Sequence, residues 1–365
     1  NFTNTIKSFK ITLNNYTAYP YKFGISNEEK LEYSLTKSLL DLIPFKLKKY
    51  KTRNKIFNNV NNNTLQLGLV TEDNLSFLNL KKYKNVSFVC GTNFSTFTLI
   101  VPFHSNIFSF KDLKNMKIGT SENNTLSNTH LKKIMKSYRF KNTEYEIISG
   151  KKEKIFEMFI NNEIDAVYYT LIHPNPLINL YEKNYRIKLI GTRDIDKNLL
   201  ELYIPYFIIQ PIDTRYYIQG DAKHISSKQI FSYGVRNIII TNNNFSNEFI
   251  FKFLYTFIDN MFKLKQEYKF LKPLSRSLIT YTRIMVPIHP GAMIYFKQYN
   301  YITDNNNPGC KFFYGKTKCS SKLLENNSSQ LIINDAYSYN NEEEINKYNI
   351  KFGNESYMLS ERLKD

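Results

Sequence analysis

Short β-prone runs alternate along this 365-residue chain with segments whose apolar residues recur every three or four positions. That alternation limits the fold more than any single motif does. A strand is expected at Phe9 to Leu13, then a polar and aromatic loop from Asn14 to Phe23. Ser26-Asn27-Glu28-Glu29 is a capping-box pattern ahead of Leu31, Leu35, Leu39 and Leu42, which recur at helical spacing until Pro44 stops them. Leu65 to Val70 and Val86 to Val101 read as strands. Met116 to Gly119 is a short strand, followed by the loop Thr120 to Ser127 and a helix carrying Leu131, Ile134 and Met135. A helix at Ile155, Met158 and Phe159 runs through the acidic turn Glu163-Ile164-Asp165 into another strand. A strand at Asn237 to Thr241 precedes a helix with Phe249, Phe253, Phe257 and Met261 on one face. Strands interleaved with helices imply an α/β fold with largely parallel sheets and helices on both faces. From about Asp304 the chain turns Asn-rich and then acidic, so 304–365 reads as an extension outside the main fold.

Composition excludes several functions. The net charge is +18, yet the 50 basic residues include only nine Arg, and the 41 Lys are spread along the whole chain. A nucleic-acid surface would concentrate Arg for bidentate contacts, so no specific nucleic-acid partner is expected. With 45 Asn, 40 Ile, 28 Phe and 28 Tyr, the bias follows amino acids with A/T-rich codons. No run of about 18 uncharged apolar residues is present, so no spanning helix is expected within this stretch. Residue 1 is Asn, so a leader or anchor upstream stays open. Cys310 and Cys319 are near enough in sequence to pair in an oxidising compartment, whereas Cys90 lies in an apolar run. No Cys-x-x-Cys or His-Glu-x-x-His occurs, so no metal and no cofactor is expected.

Two loops open helices after strands, Asn14–Gly24 and Thr120–Ser127. In open α/β sheets such loops face the carboxyl ends of strands, where free helix amides meet anions. Neither has a glycine pattern for a nucleotide, but both are rich in side chains that hydrogen-bond a carboxylate. His289, between Pro287 and Pro290, is a positioned structural residue in preference to a general base. Asp165 reads as a turn or capping carboxylate, and the Tyr168–Tyr169 and Tyr216–Tyr217 pairs as pocket or core aromatics.

The order of these motifs resembles the TAXI family of TRAP-transporter solute receptors. The segment Val286-Pro287-Ile288-His289-Pro290-Gly291-Ala292-Met293-Ile294-Tyr295-Phe296 looks like that family's C-terminal signature. Asp112-Leu113-Lys114, Glu163-Ile164-Asp165-Ala166, His173-Pro174-Asn175-Pro176 and Leu69-Val70-Thr71-Glu72-Asp73 resemble further stretches, in order. Ile11 to Gly24 can be laid on the family's glycine-rich opening, with Tyr21 and Gly24 kept and other glycines replaced.

The resemblance implies a non-catalytic, two-lobed fold of the periplasmic-binding-protein type II kind over 1–303. One lobe would span about 7–110 plus about 225–303, and the other about 111–224. It implies a small organic acid or amino acid in the cleft, with TRAP-type transporter subunits as partners. By position, the ligand contacts would be Asn15, Tyr21, Asn124, Thr125 and Ser127, with Tyr168, Tyr169 and Tyr217 as walls. Asp165, His289, Pro290, Gly291 and Ala292 would be structural. The lost loop glycines support an alternative, a repurposed structural subunit of a membrane-associated complex that kept the fold without the ligand. The compartment is left open: extracytoplasmic for a bacterial receptor, organellar (mitochondrial) for a eukaryotic protein.

Overall fold

The computed structural model describes residues 21–26, 34, 36, 43, 45–73, 83–204, 207–217, 229–280 and 286–301. The strand expected at Phe9 to Leu13, the loop residue Asn15 and the 304–365 extension lie outside these residues.

Among the described residues ten strands form one sheet: β1 (Tyr21–Ser26), β2 (Phe45–Tyr50), β3 (Leu67–Thr71), β4 (Val86–Pro102), β5 (Lys117–Ser121), β6 (Glu146–Gly150), β7 (Ala166–Leu171), β8 (Ile187–Ile190), β9 (Phe207–Asp213) and β10 (Gln229–Asn242). Their order is β2-β1-β3-β10-β4-β7-β5-β6, with β8 added to β4 and β9 to β10. The outer trios β2-β1-β3 and β7-β5-β6 are parallel. Every strand ladder that includes β4 or β10 is antiparallel, and Phe88 of β4 adds a lone parallel bridge to Ile288.

These two strands divide the molecule into two lobes. β10 pairs with β3 through Asn237–Thr241 and with β9 through Gln229–Val235. β4 pairs with β10 up to Thr96 and with β7 from Thr96 onward. Sixteen of the 17 residues of β4, all but Pro102, are buried. Its Val, Phe, Thr and Ile content suits a strand covered on both faces.

Nine helices cover the sheet among the described residues: α1 (Arg53–Asn61), α2 (Leu126–Ser137), α3 (Lys152–Ile160), α4 (Pro176–Asn184), α5 (Lys197–Tyr203), α6 (Asn247–Asp259), α7 (Met261–Glu267), α8 (Arg276–Thr280) and α9 (Pro290–Gln298). The helical period at Phe249, Phe253 and Phe257 buries all three rings in the first lobe's core. Phe45 meets Phe249 and Phe253 edge-on at 5.5 and 6.2 Å. With five Ala in the whole chain, large rings fill this interior, each fully buried Phe contributing about 1.5–3 kcal/mol. The second lobe has one core on each sheet face, around Phe110, Leu131 and Tyr168 on one side and Phe159, Tyr169 and Tyr181 on the other. Tyr168 and Tyr169, adjacent on β7, point to opposite faces as strand geometry requires.

One expectation is corrected. Tyr21 does not sit in a loop opening a helix: residues 21–26 form β1, in register with Phe45–Tyr50. Tyr21 packs edge-on to Phe245 and Phe249 at 5.2 and 4.6 Å, and Gly24 lies within the strand. Parallel pairing on both edges overrode the turn-like reading of the segment.

The His-Pro-Gly-Ala segment shows why it has these residues. His289 caps α9, Pro290 takes the first helical position, and Gly291 faces the backbone of Asn247 at the start of α6. A Cβ at Gly291 would lie 2.2 Å from the Asn247 carbonyl oxygen. Gly291→Ala is therefore expected to destabilise the protein by about 1–3 kcal/mol, read from the urea midpoint at unchanged m-value. An unshifted midpoint would show that α6 and α9 do not approach this closely.

Candidate functional site

The strands of each lobe deliver polar side chains to the line where the lobes meet. β3 ends at Thr71 and hands over to Glu72 and Asp73. From the other lobe come the first turns of α2 and the carboxyl end of β7. Thr125 caps α2, accepting from the Asn128 amide, and Ser127 and His130 follow one helical turn apart.

Asp73 and His130 touch across the lobes: Nε2 of the imidazole is 2.9 Å from Oδ2 of the carboxylate, with side chains 0% and 1% exposed. Nδ1 lies 3.1 Å from the Thr170 hydroxyl, which is 3.0 Å from the Tyr168 hydroxyl. One proton arrangement gives each of these donors an acceptor. Tyr168 donates to Thr170, Thr170 donates to Nδ1, and Nε2–H donates to Asp73. Ser127 Oγ accepts the Thr170 amide at 3.0 Å, tying α2 to β7. The His130 ring also stands edge-on to Phe97 of β4, 5.1 Å between centroids.

Burial alone would raise the Asp73 carboxyl. His130 by charge and hydrogen bond, then Lys133 and the Thr71 hydrogen bond, outweigh it and bring the group down to about 2. Burial depresses His130 more than Asp73 raises it, with Lys133 and Arg53 adding to the depression. At neutral pH the pair is thus a neutral imidazole donating to an ionised carboxylate.

The floor of this junction is made by the crossing strands. Asn237 pairs with Thr71 across β10 and β3 and donates to the Ser95 hydroxyl at 2.9 Å. The single Thr92 hydroxyl hydrogen has two acceptors in reach, Asn93 Oδ1 at 2.8 Å and the Asn237 carbonyl at 3.2 Å. Asn93 Nδ2 and Asn237 Oδ1 are buried and have no hydrogen-bond partner within the protein. Each such group costs roughly 1–3 kcal/mol. Next to Asn237, Arg236 grips Glu72 through two 2.8 Å hydrogen bonds and donates a third to the Leu278 carbonyl. This bidentate pair fixes the backbone that presents Asp73. Among the described residues no three His, Cys, Asp or Glu side chains gather in a metal-holding group. No helix among them is long and apolar enough to cross a membrane.

A profile of known families matches residues 44–299, well over half of the chain. The chain belongs to the NMT1-like family. The match begins beyond the Ile11–Gly24 stretch laid on the TAXI opening. No curated protein matches this NMT1-like chain by sequence. Solved structures similar to it include the GluR0 ligand-binding core from Nostoc punctiforme in complex with L-glutamate, at 13% identity over 68% of this chain and 96% of that one, with a TM-score of 0.41. The periplasmic aliphatic sulphonate binding protein SsuA from Escherichia coli shares 10% identity over 78% and 79%, TM-score 0.41. The arginine-, lysine-, histidine-binding protein ArtJ from Geobacillus stearothermophilus shares 16% over 70% and 94%, TM-score 0.40.

The structure separates the residues that the sequence grouped as ligand contacts. Ser127 is buried at the lobe junction, and Thr125 stands two residues earlier as the cap of α2. Asn124 is exposed, with a positive φ of 65°. Tyr168 joins the junction through its hydroxyl, whereas Tyr169 faces the opposite core, its hydroxyl 3.4 Å from that of Tyr181. Tyr217 instead holds the turn after β7: its hydroxyl accepts the Asn175 amide and meets His173 Nδ1, while His173 Nε2 reaches Thr98. Asp165 receives the Lys117 amide at the start of β5. His289 accepts the Gly291 amide and donates to the Phe245 carbonyl. Ala292 is buried in the first lobe's core.

His130 carried no sequence signal beyond its place three residues after Ser127. Asp73 enters the sequence reading only as the last residue of the Leu69–Asp73 stretch. Their contact spans 57 residues of sequence, a separation no local motif reports.

Three imidazoles are held neutral by burial: His130, His173 down to about 3, and His289 down to about 4, the last against a Phe245 hydrogen bond that favours its charged form. Their folded values lie below the ordinary 6.5, so the unfolded chain binds more protons on acidification. The stability they contribute is present above about pH 6.5 and is lost as the pH falls toward the folded values, at up to about 1.4 kcal/mol per pH unit for each imidazole. Urea unfolding at pH 7.5 and 5.0 is expected to show a marked drop. Equal stabilities would contradict the neutral assignments.

Proposed function

We propose that this protein is a non-catalytic solute-binding protein whose two lobes hold a small polar solute at the Asp73–His130 junction. The observation that carries the reading is convergence. Thr71 and Asp73 come from one lobe, Ser127, His130 and Thr170 from the other, and Asn93 and Asn237 with unpartnered buried atoms from the strands between. Buried polar groups are costly, and their concentration at one interlobe place is the mark of a ligand site. Of the contacts expected from sequence, Ser127 fits this reading best, with Thr125 beside it.

The charges favour an amino acid over a dicarboxylate. Asp73 is held anionic, and a second carboxylate beside it would be repelled. Lys133, and Arg53 acting on His130, supply positive potential for one carboxylate. An ammonium would complement Asp73. The resemblance of the 286–296 segment to TAXI receptors supports delivery to a TRAP-type membrane transporter. The alternative of a structural subunit in a membrane-associated complex is favoured by one observation: Asp73 and His130 bond directly to each other across the lobes.

Thermal unfolding with single amino acids and small mono- and dicarboxylates decides between them. At a hundredfold excess over Kd, a solute should add about 2.7 kcal/mol to native stability and raise the Tm by several degrees. Asp73→Asn is expected to abolish an amino-acid shift. An unmoved Tm across the whole set would overturn the solute reading and leave the scaffold role.

A further inference from the structure

We infer that the second lobe carries a further binding site, remote from the crevice, that takes a small alkylammonium ion. The site stands apart from the solute reading above, because no residue of the Asp73–His130 junction takes part in it.

A cavity of about 310 Å³ opens where β4 ends and β5 and β7 begin. β7 runs antiparallel to β4 and parallel to β5, so the cavity lies at the amino ends of β5 and β7. The crevice lies at their carboxyl ends, one strand length or roughly 17–20 Å away. Such a volume is at the lower end for ligand pockets and suits a small molecule.

Charge identifies the class of ligand. The chain has 50 basic and 32 acidic residues, yet the nine that line this cavity include Asp112 and Asp165 and no Lys, Arg or His. Lysines on the surrounding elements are engaged elsewhere or exposed. Lys114 pairs with Glu144 at 3.1 Å and Lys111 with Asp194 at 3.9 Å. Lys188 donates to the Ser105 carbonyl and stands 3.9 Å from the centre of the Phe108 ring, and Lys117 is exposed. The backbone holds both carboxylates in place. Asp112 Oδ2 accepts the Phe108 and Ser109 amides, each at 2.9 Å, and Asp165 Oδ2 accepts the Lys117 amide at 2.7 Å. The Phe108 hydrogen bond, joined by those from Ser109, outweighs burial and keeps the Asp112 carboxyl below its ordinary range. A carboxylate offers about four acceptor positions, so each retains room for another donor.

Ser105 supplies an independent observation. Its amide donates to the Pro102 carbonyl and its own carbonyl accepts Lys188, whereas its hydroxyl oxygen is buried with no hydrogen-bond partner within the protein. A buried polar atom of this kind calls for a partner, and Ser105 lines the cavity. An ammonium group has three donors and no acceptor, which matches in kind two carboxylates and a hydroxyl oxygen. Buried Ile107 and Ile164 give the alkyl part an apolar wall. A calcium ion would ask for about six to eight oxygens and would make no use of that wall.

The test is binding of n-butylammonium to the full-length chain by isothermal titration calorimetry, with n-butanol and butyrate as probes of equal length that lack the positive charge. One saturable site is expected for the amine, about tenfold or more tighter than for either control. Asp165→Asn, which keeps an oxygen for the Lys117 amide, should weaken the amine by about tenfold or more, and Asp73→Asn should leave it unchanged. Ser105→Ala should weaken the amine while leaving the Tm without ligand unchanged or higher, since its hydroxyl has no partner to lose. Should Asp165→Asn fail to fold, Ser105→Ala and the comparison of amine with butanol on the unmutated chain carry the same test.

The absence of saturable amine binding overturns the inference, and so does equal binding of n-butanol. Binding of Ca²⁺ in place of the amine overturns the class of ligand. An amine site abolished by Asp73→Asn and untouched by Asp165→Asn would belong to the crevice and overturns this one. A chain that binds the amine here, but whose Tm no amino acid or carboxylate raises, would keep this site and lose the solute reading.

Discussion

β4 and β10 pair with each other from Val86–Asn242 to Thr96–Gly234, and each then continues into the neighbouring lobe, so neither lobe has a register independent of the other. The ladder shifts register between Arg236 and Ile238 and again between Ile239 and Ile240, bending the strands where the lobes turn toward each other. Arg236 and Asn237 stand at the first irregularity and point to opposite faces. One grips Glu72; the other donates to the buried Ser95 hydroxyl. Parallel trios on either side add strands whose carboxyl ends converge on the same line, as ligand sites in open α/β sheets do.

On that frame the junction is an exchange of one solvent for another. Water leaves Asp73, His130, Thr170 and Tyr168, and each finds a protein partner instead. The exchange comes close to balance only because every donor has an acceptor, since a half-satisfied network would be worse than an apolar one. On the crossing strands, Asn93 Nδ2 and Asn237 Oδ1 are buried with no hydrogen-bond partner within the protein.

Much of this was readable in the sequence where the signal is local. The β-branched run at Val86–Val101, the helical period of Phe249, Phe253 and Phe257, and the turn chemistry of His289-Pro290-Gly291 each follow from short-range patterns. Phe45–Tyr50 was missed although Phe45 and Leu47 alternate with lysines, a half-buried edge-strand pattern. Tyr21 was misplaced because its strand is made by pairing on both sides, which a single segment does not display. The site was the least legible part. Ser127 follows a polar loop that the sequence marks, but Asp73 and His130 come together only when the two lobes fold against each other. Tyr168 and Tyr169 look alike in sequence and end in different cores.

A double-mutant cycle on Asp73 and His130, read from urea unfolding of Asp73→Ala, His130→Ala and the double variant, tests the interlobe contact most directly. Residues in one buried hydrogen-bonded pair should couple by about 1–3 kcal/mol. Additivity within about 0.3–0.5 kcal/mol, the behaviour of distant sites, would mean that the lobes do not meet through these two side chains.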